Sequence, residues 1–259
     1  MMDAKTLRKA RQTLESDRLM GMDFIPVRRV PVEAERSAEV AESPVEPRTE
    51  PSSATISVSG ASRQERVAAL AALATESEAW ARANWPRDGW NRFVFGEGDP
   101  CATILFVGEG PGAEEDAQGR PFVGPAGQLL DKQIVAMGLK REQVYIGNIA
   151  KTRPPGNRVP TPEEAELWMP WLVRQIEIIA PRVIVTLGAT SAKYLLQEPD
   201  LKITQRRGQW ETFRGIDLMP TFHPAYLLRS YTPENRRRVW DDLQKVMERV
   251  GIAAPNLNE

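Results

Sequence analysis

Short apolar runs of strand length alternate with stretches of helical periodicity along residues 64–250, and that alternation restricts the chain to one broad architecture. Strands are expected at 103–107, 144–149 and 183–187, with a short extended pair at 210–213 and 216–221. Helices are expected at 64–84, 126–137, 162–179, 189–196 and 233–250. Several boundaries carry a local reason. Gly138 closes one helix, Thr161 followed by Pro162 and Glu164 caps the start of another, and Pro233 opens the last. Strands that alternate with helices predict a mostly parallel sheet covered on both faces. Sites in such folds lie at the carboxyl ends of the strands, so the chemistry is expected to follow Val107, Ile146, Leu187 and Thr221.

The rest of the chain divides around that unit. Residues 1–27 have helical character with mixed charge and then an apolar MDFIPV stretch, the pattern of a short docking segment. Residues 28–62 are rich in Pro, Glu, Ser, Ala and Val without aromatics, a composition that buries too little to offset chain entropy, and they read as a disordered linker. The folded domain is expected over 63–253, with a tail at 254–259. Among 259 residues the net charge is −1, so any nucleic-acid-binding surface has to be local. No apolar run reaches membrane-spanning length and the N-terminus lacks the apolar core of a signal peptide, which predicts a cytoplasmic protein with no membrane partner. The single cysteine, Cys101, excludes an internal disulfide and a Cys-ligated metal, and its place beside a strand predicts a small buried hydrophobe.

Directly behind the first strand comes GEGPGAEEDAQGRPFVGPAGQLL, residues 108–130. Gly108, Gly110 and Gly112 allow close approach of backbone to a ligand, while Glu114, Glu115 and Asp116 replace the Lys and Ser or Thr that a phosphate cradle needs. That pattern points to a flat, neutral ligand, with Phe122 as the aromatic beside it. The other strand ends contribute Asn148 with Lys151, then Gly188, then the chain's one histidine, His223, in HPAYLLR. A lone histidine or asparagine is an ordinary structural residue. At converging strand ends the two together form a candidate site.

In this order, GEGPGAEED, GRPFVGPAGQLL, VYIGNIAK, RPPGNRVPTPEE, RRGQW and TFHPAYLLR resemble the signature blocks of family 4 uracil-DNA glycosylases, over roughly residues 93–250. The resemblance implies a three-layer α/β/α sandwich around a four-stranded, mostly parallel sheet, and monofunctional hydrolysis of the N-glycosidic bond of uracil in DNA at the start of base excision repair. The implied uracil pocket comprises the backbone at Glu109 and Gly110, a stacking Phe122, Asn148 against the polar edge of the base, and His223 at the pyrimidine O2. Catalytic roles fall on Asn148, His223 and Glu115, with Asn148 or Glu115 orienting the water. Leu228 is expected to fill the gap left by a flipped base, with Arg229, Lys151, Arg153, Arg158 and Arg207 on the DNA backbone. Single- or double-stranded uracil-containing DNA is the implied partner of a monomer near the nucleoid. A protein partner for the N-terminal arm completes the expected set.

One departure stands out. Members of that family usually carry four cysteines for a [4Fe-4S] cluster, whereas Thr152 and Trp168 occupy two of those positions here and no cysteine lies between Arg63 and Pro100. No metal and no cofactor are therefore expected. Trp80, Trp85, Trp90, Trp168 and Trp171 crowd the same segments and suggest aromatic packing in the cluster's place. The alternative function is a relative with impaired catalysis, or one redirected to another deaminated base. A nucleotide-binding regulator fits poorly, because the chain has neither GK[ST] nor a dinucleotide fingerprint.

Overall fold

A computed structural model describes residues 60–85 and 89–253. The expected arm at 1–27, nearly all of the linker and the tail at 254–259 lie outside the described residues. The first element is helix α1, Arg63–Asn84, where Ser62 accepts from the Glu65 amide and Glu65 returns a bond to the Ser62 amide. Strands β1 (Glu97–Gly98) and β2 (Ile104–Gly108) follow, then helices α2 (Ala113–Gln118) and α3 (Pro125–Ala136). Strand β3 (Tyr145–Asn148), helix α4 (Pro162–Ile179), strand β4 (Val183–Leu187) and helices α5 (Ala189–Leu196) and α6 (Ile203–Arg206) come next. The chain closes with strands β5 (Glu211–Phe213) and β6 (Ile216–Thr221) and helices α7 (Pro224–Arg229) and α8 (Pro233–Val250).

The sheet order is β1-β3-β2-β4-β6-β5. Its four inner strands are parallel, and the two short edge strands pair antiparallel. The sheet thus has six strands rather than the expected four. The extra pair consists of β5, expected as part of an extended pair, and β1, two residues that pair with Tyr145 and Ile146. β1 has too little apolar content to announce itself.

Alternation along the inner strands separates two cores. Leu105, Val107, Ile184 and Leu218 face α1, α4 and α5, where Trp168, Trp171, Leu172 and Ile176 are buried. Ile104, Phe106, Val183, Val185 and Met219 face the other side, against Leu130, Ile134, Leu227, Val239, Leu243 and Val246 of α3, α7 and α8. Each fully buried large apolar side chain contributes roughly 1.5–3 kcal/mol against its exposed state. Three layers result, and every parallel strand ends at the same edge. Thr161 and Glu164 form the box that starts α4, and Thr232 accepts from the Asn235 amide at the start of α8.

Cys101 is exposed rather than buried. The buried neighbour is Ala102, the next residue toward β2.

Candidate active site

β2 and β3 run in register, with Gly108 opposite Asn148 at their shared end. A methyl group added at Gly108 would lie 2.4 Å from Asn148 Oδ1 and 2.5 Å from the Phe122 ring. The bare α-carbon of Gly108 is therefore the seat on which Asn148 and Phe122 meet. Both are buried. Asn148 Oδ1 is shielded and has no hydrogen-bond partner among the described residues. A buried acceptor left in that state costs about 1–3 kcal/mol, so it marks a place where a donor is meant to arrive.

Phe122 adopts the left-handed region with φ of 50°, an uncommon state for an aromatic residue, and its neighbours hold it there. Arg141 donates to the carbonyls of Pro121 (2.5 Å) and Phe122 (3.2 Å), while ion-pairing with Glu97 and Asp131. Glu115 Oε1 accepts from the amides of Val123 and Gly124, both at 2.9 Å, and its Oε2 accepts from the Gly112 amide at 3.1 Å. Gly127 completes the clamp, since a Cβ there would fall 1.9 Å from the Phe122 carbonyl oxygen. Glu115 thus ties the two glycine-bearing turns together.

His223 caps α7: its Nδ1 accepts from the Ala225 amide at 3.0 Å. That bond puts the hydrogen of a neutral imidazole on Nε2. Burial, with the Arg229 guanidinium adding to it and Glu115 opposing, pushes the pKa down to about 4. His223 is accordingly a neutral Nε2–H donor at physiological pH. Its ring centroid lies 5.7 Å from that of Phe122. Glu109, beyond the β2 terminus, keeps its carboxylate on the Thr190 hydroxyl at 2.5 Å. Its carbonyl accepts from the Ala150 amide, which fixes the turn that carries Gly110.

Two residues expected on the DNA backbone lie elsewhere. Lys151 is fully buried behind β3, where Nζ donates to the Asn148 carbonyl (2.8 Å) and to Gln175 Oε1 (2.7 Å). Arg207 forks onto the buried Asp242 and stacks on the Phe222 ring, which makes it a brace between α6 and α8. Sequence position gives no depth, and both residues follow motifs that do reach the surface. Arg158 is bound by Glu164 and Arg153 by Asn157, although both retain exposed surface. Leu228 and Arg229 are exposed on α7, one turn beyond His223. On α8, Arg236 is buried against Tyr231.

Arg141, Gly127, Thr190 and Ala225 escaped the sequence reading. Gly127 alone carried a signal, because glycine inside a helix costs about 1 kcal/mol relative to alanine and is kept where backbones approach closely.

On the α1 side of the sheet, Trp80, Trp85, Trp168 and Phe93 form an aromatic knot, with ring centroids 5.0 Å apart for Trp85 and Trp168 and 5.3 Å for Trp80 and Trp168. Trp171 joins through Trp80 at 5.7 Å. Trp90 lies instead beneath Arg82. An iron-sulfur cluster demands thiolates, and this place holds indoles. Among the described residues, no group of three or more His, Cys, Asp or Glu side chains is arranged to hold a metal ion. The residues present do not fit a [4Fe-4S] group.

A family model for the uracil DNA glycosylase superfamily matches residues 95–244. The type-4 uracil-DNA glycosylase of Thermotoga maritima is 50% identical over 153 residues, 59% of this chain and 80% of that protein. The type-4 enzyme of Sulfurisphaera tokodaii is 47% identical over 163 residues, covering 60% of this chain and 73% of its own length. That of Archaeoglobus fulgidus is 43% identical over 172 residues, 64% of this chain and 85% of that protein.

Proposed function

The chain belongs to the uracil DNA glycosylase superfamily, with the type-4 enzymes as its relatives, and on that premise we propose that it hydrolyses the N-glycosidic bond of uracil in DNA. One observation carries the choice of base. The buried, unpartnered Oδ1 of Asn148 accepts the N3–H of uracil, while the amide nitrogen of the same side chain donates to O4. Cytosine presents an acceptor at N3 and a donor at C4, so it leaves buried groups unpaired and is rejected.

The nucleotide leaves the base stack, or arrives single-stranded, and the pyrimidine stacks on Phe122 beside Asn148. As the glycosidic bond lengthens, negative charge grows on the ring, and the Nε2–H of His223 meets it at O2. A neutral imidazole with its pKa near 4 stabilises that charge through a hydrogen bond and keeps its proton. Water attacks the sugar carbon, leaving an abasic site and free uracil. Both Glu115 oxygens are occupied by backbone amides, which favours a positioning role for this residue. Exposed Leu228 fills the space of the flipped base, with Arg229 beside it on phosphate and Arg153 and Arg158 further along the strand. No lysine faces the sugar in this scheme, so the enzyme is monofunctional.

At the usual cluster position the aromatic knot serves as the staple between α1 and α4, and the enzyme works without iron. The chain acts as a monomer near the nucleoid, and its N-terminal arm is left for a protein partner. No helix among the described residues is long and apolar enough to cross a membrane.

The deciding experiment is excision from single- and double-stranded oligonucleotides bearing uracil, hypoxanthine or other deaminated bases, read after alkali cleavage. Uracil is expected to be released first and to leave alkali-labile rather than cut strands. Release of another base with uracil untouched overturns the assignment.

A further inference from the structure

Lys151 is a buried cation that the scheme above does not use. Its Nζ spans the Asn148 carbonyl of β3 and Gln175 Oε1 of α4, and lies 5.7 Å from the centre of the Phe95 ring. Gln175 is held in turn: its amide donates to the Tyr145 hydroxyl (3.0 Å) and the Phe95 carbonyl (3.2 Å). Among the described residues no carboxylate pairs with Lys151, and two neutral oxygens are its hydrogen-bond partners. Ammonium is costly to bury in this way, and a methionine or leucine of similar length fills such a space at lower cost. A lysine kept under those conditions points to a use for its charge.

We propose that Lys151 is a positioning residue for the glycosylase reaction: it fixes the end of β3 through the Asn148 carbonyl and sets a positive charge one hydrogen bond behind the residue that faces the base. The inference rests on the uracil reading. Asn148 gains directional stiffness from the bond at its backbone, and the attraction of the ammonium grows as negative charge builds on the pyrimidine, because low-dielectric surroundings screen it weakly. Asn148 touches the base, and Lys151 acts through it.

Charge on Lys151 also makes the rate sensitive to pH. Burial pushes its pKa down to about 7. The ammonium is present below that value and lost above it, so excision is faster on the acid side. The groups around it do not titrate in the same range. Gln175 is neutral, and the Tyr145 hydroxyl is pushed well above its usual range by burial. Glu97 on β1, which acts on Tyr145, is held below the usual carboxylate range by Arg120 and Arg141 in spite of its burial. The His223 step falls near 4.

The test uses the full chain and a uracil-bearing oligonucleotide under single-turnover conditions from pH 6 to 9, for the parent and for Lys151→Met. The parent rate is expected to fall about tenfold across that range, the loss of one charge near a developing anion. Lys151→Met is expected to run flat at the lower level, to bind the oligonucleotide as the parent does and to melt no lower. A parent whose rate is level over this range overturns the proposal, even if the variant is slow, since a slow variant then reflects packing alone. A variant with the parent's rate and profile overturns it as well. Should Lys151→Met fail to fold, the parent's own profile decides. A parent that releases no uracil at any pH sinks the functional reading, and this inference falls with it; uracil release with a level profile sinks this inference alone.

Discussion

The pocket and the aromatic knot lie on different parts of one sheet, and each leaves buried polar atoms without partners. Among the described residues, in the pocket the orphan is Asn148 Oδ1, and in the knot they are the indole N–H groups of Trp80, Trp168 and Trp171. What surrounds them differs. Around Asn148, charged and polar side chains secure the backbone from several directions: Glu115 and Arg141 hold the Phe122 turn and Lys151 holds the Asn148 carbonyl. Around Trp168, rings meet rings at tilted angles, and shape alone sets the arrangement. An unpaired polar atom thus signals chemistry where its surroundings spend hydrogen bonds on aiming it, and signals bulk packing where they do not.

That contrast can be broken most directly at its two centres. Asn148→Ala is expected to lower single-turnover excision by about 10²–10³-fold, the size found when one preorganised polar group is lost, with little change in melting temperature. An unchanged rate would remove Asn148 from the site. Trp168→Ala is expected to do the reverse. It should cost about 3–5 kcal/mol in denaturant unfolding, while excision per folded molecule stays near the parent value. A variant as stable as the parent would undo the idea that the knot is a staple.

Smaller effects sharpen the picture. Leu228→Ala removes about 1 kcal/mol of apolar contact, so excision from duplex DNA should slow roughly fivefold and excision from single strands should not. Equal slowing on both substrates would argue against a wedge. Between pH 5 and 6.5 the excision rate should be nearly level, because His223 stays neutral down to about 4. An ordinary histidine titrating near 6.5 would cut the neutral fraction about sixteenfold between pH 6.5 and 5. The sign for stability follows from the same depression. The unfolded chain binds a proton at His223 that the folded one refuses, so stability declines as pH falls from 6.5 toward 4, which thermal melts over that range would measure.

Much of this architecture could be read in advance because its punctuation is local. Thr161 with Glu164 and Pro233 give the start of α4 and α8 to the residue, β4 appears as an apolar run at 183–187, and β6 as half of a short extended pair at 216–221. Helix α2 escaped because AEEDAQ has no apolar period, and it forms around Glu115 and Asp116, which serve backbone amides far along the chain. The pocket positions came from their place after strands. What stayed hidden was depth and direction: nothing in the sequence says that Lys151 turns inward while Leu228 turns out, or that Cys101 is exposed beside a buried Ala102.

Gly108 has a consequence for how such an enzyme can be lost. Its seat for Asn148 and Phe122 exists because one hydrogen stands where any other residue carries carbon. A single-nucleotide change that installs alanine there would push Asn148 or Phe122 out of place while helix α7 stayed intact. On the uracil reading proposed above, such a protein would keep its exposed Leu228 and Arg229 for damaged strands without clearing them.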